Sequence, residues 1–156
     1  MVLLSAQPAR PAGLTGTWRG TVTADGQTAE VTATFSENDY VLYTYASDSG
    51  LVRTVELSGP GQIQWVPLGG GVMTLAVDSV VKRPGGIAYV LHTGFERTTG
   101  GRLDRQYVSE EADYALTPEG LRVRIVSRAG SYFGDRVGAT GPRNVRVVEG
   151  LLKKLR

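Results

Sequence analysis

The sequence predicts an all-β protein, folded as a closed, antiparallel, up-and-down barrel of about eight to ten strands with little helix. Turn-forming clusters recur at nearly even intervals, and glycine, proline, asparagine and aspartate reverse the chain. The runs between them alternate or are β-branched and aromatic, with no helical stripe before the C-terminal segment. Closure hides both edges of so long a meander. The turn clusters are Asp25-Gly26, Asn38-Asp39, Asp48-Ser49-Gly50, Gly59-Pro60-Gly61, Gly69-Gly70-Gly71, Pro84-Gly85-Gly86, Gly100-Gly101 and Thr117-Pro118-Glu119-Gly120.

Length and composition favour one domain. A chain of 156 residues with 41% hydrophobic content can bury a core without disulfides or metal. The absence of cysteine excludes disulfides, thiolate metal sites and cysteine nucleophiles. We expect residues 1–13 to form a flexible N-terminal segment and residues 14–156 to form the barrel.

The N-terminal residues bear on location. Residues 2–12 are typical of the end of an apolar signal-peptide core followed by small residues suited to cleavage. This interpretation predicts a periplasmic or secreted bacterial protein, whereas the alternative is an ordinary disordered tail. No stretch has the roughly 20 apolar residues of a membrane-spanning helix.

Charge is unevenly distributed along the chain. Residues 1–119 hold 8 basic and 13 acidic side chains, whereas residues 120–156 hold 9 and 2. Such asymmetry indicates either a surface for anionic partners or a final strand and tail that balance the acidic face of their own barrel.

The alternation of apolar and polar side chains, and one run of apolar and aromatic residues, predict the first four strands. The first begins within residues 14–22. In the second, Ala29, Val31, Ala33 and Phe35 share one face, the period-two pattern of a half-buried strand. Residues 40–45 form the third strand, with apolar or aromatic groups on both faces, and residues 51–57 alternate as the fourth.

The next strands are predicted over residues 62–66, 72–81 and 87–95. The clearest hairpin joins residues 113–116 to 121–125 through Thr117 to Gly120 in a type I turn closed by a glycine bulge. Leu121, Val123 and Ile125 then face the core, and Arg122 and Arg124 face away. Residues 77–81, like residues 40–45, carry apolar side chains on both faces of their predicted strand.

Beyond Arg128 the alternation fails. Residues 129–142 are predicted as a long glycine-spaced loop that carries Tyr132 and Phe133, and loops of this length are usually functional or disordered. The tail from Asn144 has two interpretations. One is a closing strand over residues 145–149 that is broken at Gly150, and the other is a short helix. The strand is favoured because glycine weakens a short helix.

The segment Leu14-Thr15-Gly16-Thr17-Trp18 resembles the opening of calycin-type barrels, the group that includes the lipocalins. In those proteins a glycine-x-tryptophan element on the first strand packs its tryptophan across one end of the barrel. The resemblance covers five residues and implies a structural role for Trp18 at the barrel end, and binding of a small apolar molecule inside. Avidin-like biotin binding needs further tryptophans besides Trp65, and a nitrobindin-like haem site needs a late histidine, whereas His92 lies mid-chain.

Two features suggest candidate binding residues: the number of aromatic side chains, and one arginine–tyrosine pair two residues apart. Fatty-acid-binding barrels hold a ligand carboxylate between an arginine and a tyrosine two residues apart, and Arg105 and Tyr107 resemble that pair. The alternative is an outward arginine beside a partly buried tyrosine. Tyrosine suits a pocket wall because it is apolar with a polar tip. The predicted ligand-binding set is Arg105, Tyr107, Tyr43, Tyr89, His92 and Trp65.

The sequence gives no catalytic, metal or cofactor site. His92, the single histidine, has no accompanying nucleophile motif, and Ser131 lacks a nucleophile elbow. The loop after Gly130 lacks the Gly-Lys-Ser/Thr ending that cradles phosphate. Glu110, Glu111 and Asp113 lack calcium-loop spacing and are interpreted as a solvated acidic strand. Nucleic acid is not an expected partner.

Three functions therefore remain open. The first is lipocalin-like binding of a small, mostly apolar ligand, carboxylate-bearing in one version, inside the barrel. The second is a cell-envelope protein-interaction or inhibitor module that uses the N-terminal segment and the 129–142 loop. The third is a barrel-type enzyme with His92 as its base.

Overall fold

A computed structural model describes residues 13–37, 41–46, 51–60, 63–68, 71–133 and 144–156. The described residues form ten β-strands. In chain order these are β1 (Gly16–Ala24), β2 (Gln27–Phe35), β3 (Val41–Ala46), β4 (Leu51–Glu56), β5 (Ile63–Leu68), β6 (Gly71–Arg83), β7 (Gly86–Thr99), β8 (Arg102–Thr117), β9 (Gly120–Phe133) and β10 (Asn144–Lys154).

All ten strands belong to one antiparallel sheet with the order β4-β3-β2-β1-β10-β9-β8-β7-β6-β5. The prediction of an all-β, up-and-down antiparallel fold is confirmed, and the strand number lies within the predicted range. Among the described strands, the only neighbours in the sheet that are not consecutive in the chain are β1 and β10, the first and the last. Among the pairings of the described residues, β4 and β5 stand at the two edges.

The two ends of the sheet are distinguished by their turns. The lower end carries the β6–β7 and β8–β9 turns together with the end of β10, and the upper end carries the β1–β2 and β7–β8 turns. Strands β6 to β9 have 13 to 16 residues, whereas β3, β4 and β5 have 6 each. The long strands therefore extend the sheet upward on one side.

Predicted turn residues lie between successive strands. Asp25 and Gly26 form a two-residue hairpin loop with φ of 51° and 74°, as a type I′ turn requires. Gly100 and Gly101, at φ 58° and 77°, repeat this geometry between β7 and β8. The Thr117 hydroxyl accepts hydrogen bonds from two backbone amides of the β8–β9 turn and donates one to the Gly120 carbonyl, at 2.9 to 3.3 Å.

The C-terminal tail is a strand, as favoured, but it does not break at Gly150. β10 runs from Asn144 to Lys154 and pairs with β9 on one side and β1 on the other. Glycine is needed there because a Cβ at Gly150 would lie 2.3 Å from the Thr21 carbonyl oxygen of β1. A Cβ at Gly20 would likewise lie 2.3 Å from the Leu151 carbonyl oxygen. Glycine at these two positions thus lets β1 and β10 approach closely.

The predicted loop over residues 129–142 is wrong in its first part. Residues 129–133 continue β9, since β8 extends far enough upward for Arg105 to pair with Tyr132 and Asp104 with Phe133. Backbone pairing along the whole of β8 compensates for the weak strand propensity of Gly130 and Ser131. Residues 134–142 of the predicted loop, like residues 1–12 of the predicted flexible segment, lie outside the described residues.

The core lies on one face of the sheet, the inner face. It draws buried side chains from nine of the ten strands together with Leu14 and Leu57. As predicted, Ala33, Phe35, Leu121 and Val123 are buried, Ile125 packs against them, and the intervening arginines of β9 are exposed.

The sheet curls around this core. Phe35 of β2 and Tyr114 of β8 are four strands apart, which corresponds to about 19 Å along a flat sheet at about 4.8 Å per strand. Their ring centroids are 5.4 Å apart and nearly perpendicular, at 84°. The inner face is therefore bent back until β2 and β8 meet across it.

Candidate ligand-binding interior

Trp18 is buried near the lower end of the sheet. Its indole N–H donates a 2.8 Å hydrogen bond to the carbonyl oxygen of buried Leu14, which fixes the ring over the core. The ammonium of Lys154, the cross-strand partner of Trp18, lies 5.6 Å from the ring centroid, at cation–π distance. Gly16 leaves room for the lysine stem, because a Cβ there would lie 2.9 Å from Lys154 Cε. The structure thus shows Trp18 buried near the start of β1, and its barrel-end role stays a prediction.

The core also contains an aromatic group. Tyr114 stacks on Tyr89 of β7, with ring centroids 6.3 Å apart, and receives the edge-to-face contact of Phe35. All three side chains are at most 2% exposed. The lower half of the interior is thus a dry, close-packed base, and Tyr89 of the predicted binding set is part of that base.

The inner face changes character above this base. On β8, inward positions alternate upward from Tyr114 through Ala112 to Glu110, Val108 and Gln106, because the register with β7 and β9 is unbroken. Ala112 is buried, Glu110 and Val108 are half-buried, and Gln106 is exposed.

The same gradient runs along β7. Leu91 is fully buried, Thr93 and Phe95 are half-buried, and Arg97 is exposed. Leu91 pairs with Glu110, and Glu110 pairs with Ser127 of β9. Inward side chains therefore become less covered and more polar toward the upper end, so the interior opens there.

His92 lies on the outer face, not in the interior. Tyr89 and Leu91 of β7 point inward, and His92 alternates with them. Its Nε2 lies 3.0 Å from Asp78 Oδ2, and the two side chains are 51% and 67% exposed. Asp78 is the extra residue at a bulge in β6, where the register shifts between Val77 and Ser79. His92 therefore does not line the interior as predicted, and its side chain instead forms an outer-face hydrogen bond with Asp78.

Tyr107 is also on the outer face, where it is 41% exposed. It pairs with Gly94 of β7. Because Gly94 has no side chain, the tyrosine ring can lie close to it: a Cβ at Gly94 would be 3.5 Å from Tyr107 Cε1. Its odd position in β8 alternates with buried Ala112 and Tyr114. Tyr107 therefore does not line the interior, which removes one half of the predicted carboxylate clamp.

The backbone alone is described for the three other predicted binding residues. Tyr43 pairs with Thr34 and Thr54, Trp65 with Thr74, and Arg105 with Glu96 and Tyr132. The side chains of Tyr43, Trp65 and Arg105 lie outside the described part of the structure.

Cross-strand ion pairs cover the outer face. Arg124 bonds Glu149 at 3.0 Å, Arg83 bonds Asp113 at 2.5 Å and Arg128 bonds Glu111 at 3.4 Å. Arg19 forms a further outer-face pair with Glu30, and Arg146 of β10 pairs with Asp25 at the β1–β2 turn. Two basic residues of the C-terminal third, Arg128 and Arg146, are thus balanced by acids from earlier in the chain.

Glu110 is the interior residue that sequence reasoning missed. It was grouped with Glu111 and Asp113 as solvated, yet alternation from Tyr114 places it on the inner face and the other two on the outer face. The sequence contained this signal: Tyr114 belongs to the most clearly predicted hairpin, and Glu110 lies four residues earlier, on the same face of an extended strand.

Comparison with known proteins gives no match: no family model, no curated protein and no solved structure is similar to this chain. The described part of the chain contains no helix of the length and apolarity needed to traverse a bilayer. Among the same residues, no group of three or more histidine, cysteine, aspartate or glutamate side chains could hold a metal ion. The class supported by these findings is an antiparallel, β-rich fold curled around an apolar core.

Proposed function

We propose that the protein binds a small, mostly apolar molecule inside a closed, lipocalin-like barrel. The observation that supports this best is the burial gradient on the inner face of β7 and β8. Trp18 is buried near the lower end, and the inward side chains become progressively uncovered above Leu91. An apolar, preformed concavity with few polar groups is the usual form of a small-molecule site.

The proposal includes closure of the sheet between β4 and β5. These strands are consecutive in the chain and occupy the two edges. Val55 of β4 and Leu57 just beyond it are fully buried although β4 is an edge strand, and this burial supports closure. Amide hydrogen exchange tests closure: backbone amides of both strands are protected in a closed barrel, whereas one edge of each exchanges rapidly in an open sheet.

The wall of the proposed site favours a ligand that is apolar and carries a hydrogen-bond donor. Leu91, Val108 and Phe95 supply apolar surface, and the Glu110 carboxylate supplies an acceptor at the level of Leu91. With Tyr107 on the outer face, the predicted Arg105–Tyr107 clamp does not form in the interior, and the inward cation described near the upper end is Arg97.

Binding of the neutral fluorophore Nile red tests the proposal. Val108→Trp fills the inner wall, and Val147→Trp makes the same change on the outer face of β10, where Val147 is 36% exposed. We expect at least a tenfold loss of Nile red affinity in the first variant and none in the second, with circular dichroism to verify both folds. Equal effects in the two variants, or no binding by the unmodified chain, would contradict an interior site.

A further inference from the structure

Part of the positive charge after residue 120 forms no ion pair within the described part of the chain. Of the basic residues from 120 onward that the structure describes, Arg124, Arg128 and Arg146 form ion pairs with carboxylates. No ion pair within the described residues involves the other four. These four are Arg122, Lys153, Lys154 and Arg156.

These four cations gather at the lower end of the sheet. Lys153 pairs across the strands with Arg19, so two like charges are adjacent on the outer face. Arg122 pairs with Leu151, two residues before Lys153. The Lys153 ammonium donates to the Glu119 carbonyl in the β8–β9 turn, which holds it at that end. Acidic side chains at this end are Glu30, which binds Arg19, Glu37 just after β2, and Glu119, so basic side chains outnumber acidic ones around the end of β10.

Exposed leucines lie at the same end. Leu116 ends β8 and is 40% exposed, Leu151 of β10 is 36% exposed, and Leu155 just beyond β10 is 47% exposed. The Leu155 amide is fixed by a 2.8 Å hydrogen bond to the Thr17 carbonyl, so this leucine is held against β1. We call the four cations and these three leucines the lower-end surface.

We propose that the lower-end surface docks on an anionic lipid bilayer. Exposed aliphatic side chains gain by entering the headgroup boundary, and basic side chains around them are attracted to anionic lipid. The combination distinguishes a bilayer from a nucleic acid or other hydrophilic polyanion, which offers the cations a partner but leaves the leucines in water. The lower end of the sheet would then contact the lipid, and the upper end of its inner face would point away from the lipid.

Cosedimentation with vesicles tests this inference, which does not depend on ligand binding. The intact chain is expected to bind vesicles of equal parts phosphatidylcholine and phosphatidylglycerol, and to leave pure phosphatidylcholine vesicles unbound. The double variant Arg122→Gln/Lys153→Gln should lose about 25-fold in partitioning, about fivefold per basic residue. Leu155→Ser should lower partitioning at constant charge.

The matched control is Arg124→Gln/Arg128→Gln. It removes the same net charge from ion-paired positions elsewhere on the outer face, and we expect it to change partitioning less than about twofold. All these side chains are exposed, so circular dichroism should show unaltered folds. Equal losses in the two double variants would overturn the proposal, as would capture by heparin without vesicle binding, or an absence of any binding.

Discussion

The contact between Phe35 and Tyr114 provides a quantitative test of how far the sheet curls. The two side chains come from β2 and β8, are at most 2% exposed, and meet edge to face at 5.4 Å. An aromatic pair of this geometry contributes about 0.5–1.5 kcal/mol beyond its buried area. Replacing each residue by leucine keeps the site apolar while removing the ring contact.

The assay is a double-mutant cycle by chemical denaturation. We expect Phe35→Leu and Tyr114→Leu each to lower the free energy of unfolding by about 1–3 kcal/mol, the usual range for a buried substitution. The double variant should lose about 0.5–1.5 kcal/mol less than the sum of the two, because the ring contact is lost only once.

A second cycle serves as the control. Val147 lies on the outer face of β10 and shares no contact with the core aromatics, so Phe35→Leu and Val147→Ala should be additive within about 0.5 kcal/mol. If Phe35→Leu and Tyr114→Leu are additive to the same extent, β2 and β8 do not meet, and the reasoning that the sheet curls back on itself is refuted.

Three further predictions use thermal or chemical denaturation. Gly150→Ala should destabilise by about 1–3 kcal/mol because its Cβ meets backbone at 2.3 Å, whereas Gly59→Ala, with nothing within 4 Å, should be neutral; equal effects would contradict the tight β1–β10 crossing. Trp18→Phe should cost about 1–3 kcal/mol through loss of the bond to Leu14, and an unchanged midpoint would argue against a sealed base. His92→Ala should change stability by less than about 1 kcal/mol and leave Nile red affinity unaltered, unless His92 reaches the interior after all.

Turn chemistry made the fold predictable. Asp25-Gly26 and Gly100-Gly101 adopt the positive φ values that hairpins require, and few residues other than glycine and asparagine or aspartate do so readily. Because these clusters set the strand number and the antiparallel pairing follows from short connections, the meander could be read from local signals alone.

Face assignment was harder because it depends on parity carried along a strand. Residues 87–91 are apolar at every position, so β7 alone gives no means of deciding which side His92 occupies. Carrying the parity of Tyr114 up β8 would have placed Tyr107 outside and Glu110 inside. That inference requires knowing that β8 continues unbroken to Arg102, a length set by its pairing with β7 and β9.

Long-range contacts explain the remaining errors. The closing strand was predicted to break at Gly150, but the close carbonyl of Thr21, on a strand far away in sequence, makes glycine necessary there and the strand continues through it. Residues 129–133 were predicted as loop because their own composition is turn-like, whereas pairing with β8 holds them extended. Neither partner is visible in the local sequence.

The junction of β1 with β10 has a consequence for biogenesis. Trp18 cannot meet Lys154 until β10 has been translated, so an emerging polypeptide exposes the free side of β1 while the intervening strands β2 to β9 are made. Chaperone dependence and aggregation during expression should therefore rise sharply when β10 is deleted, even though the preceding hairpins are all present.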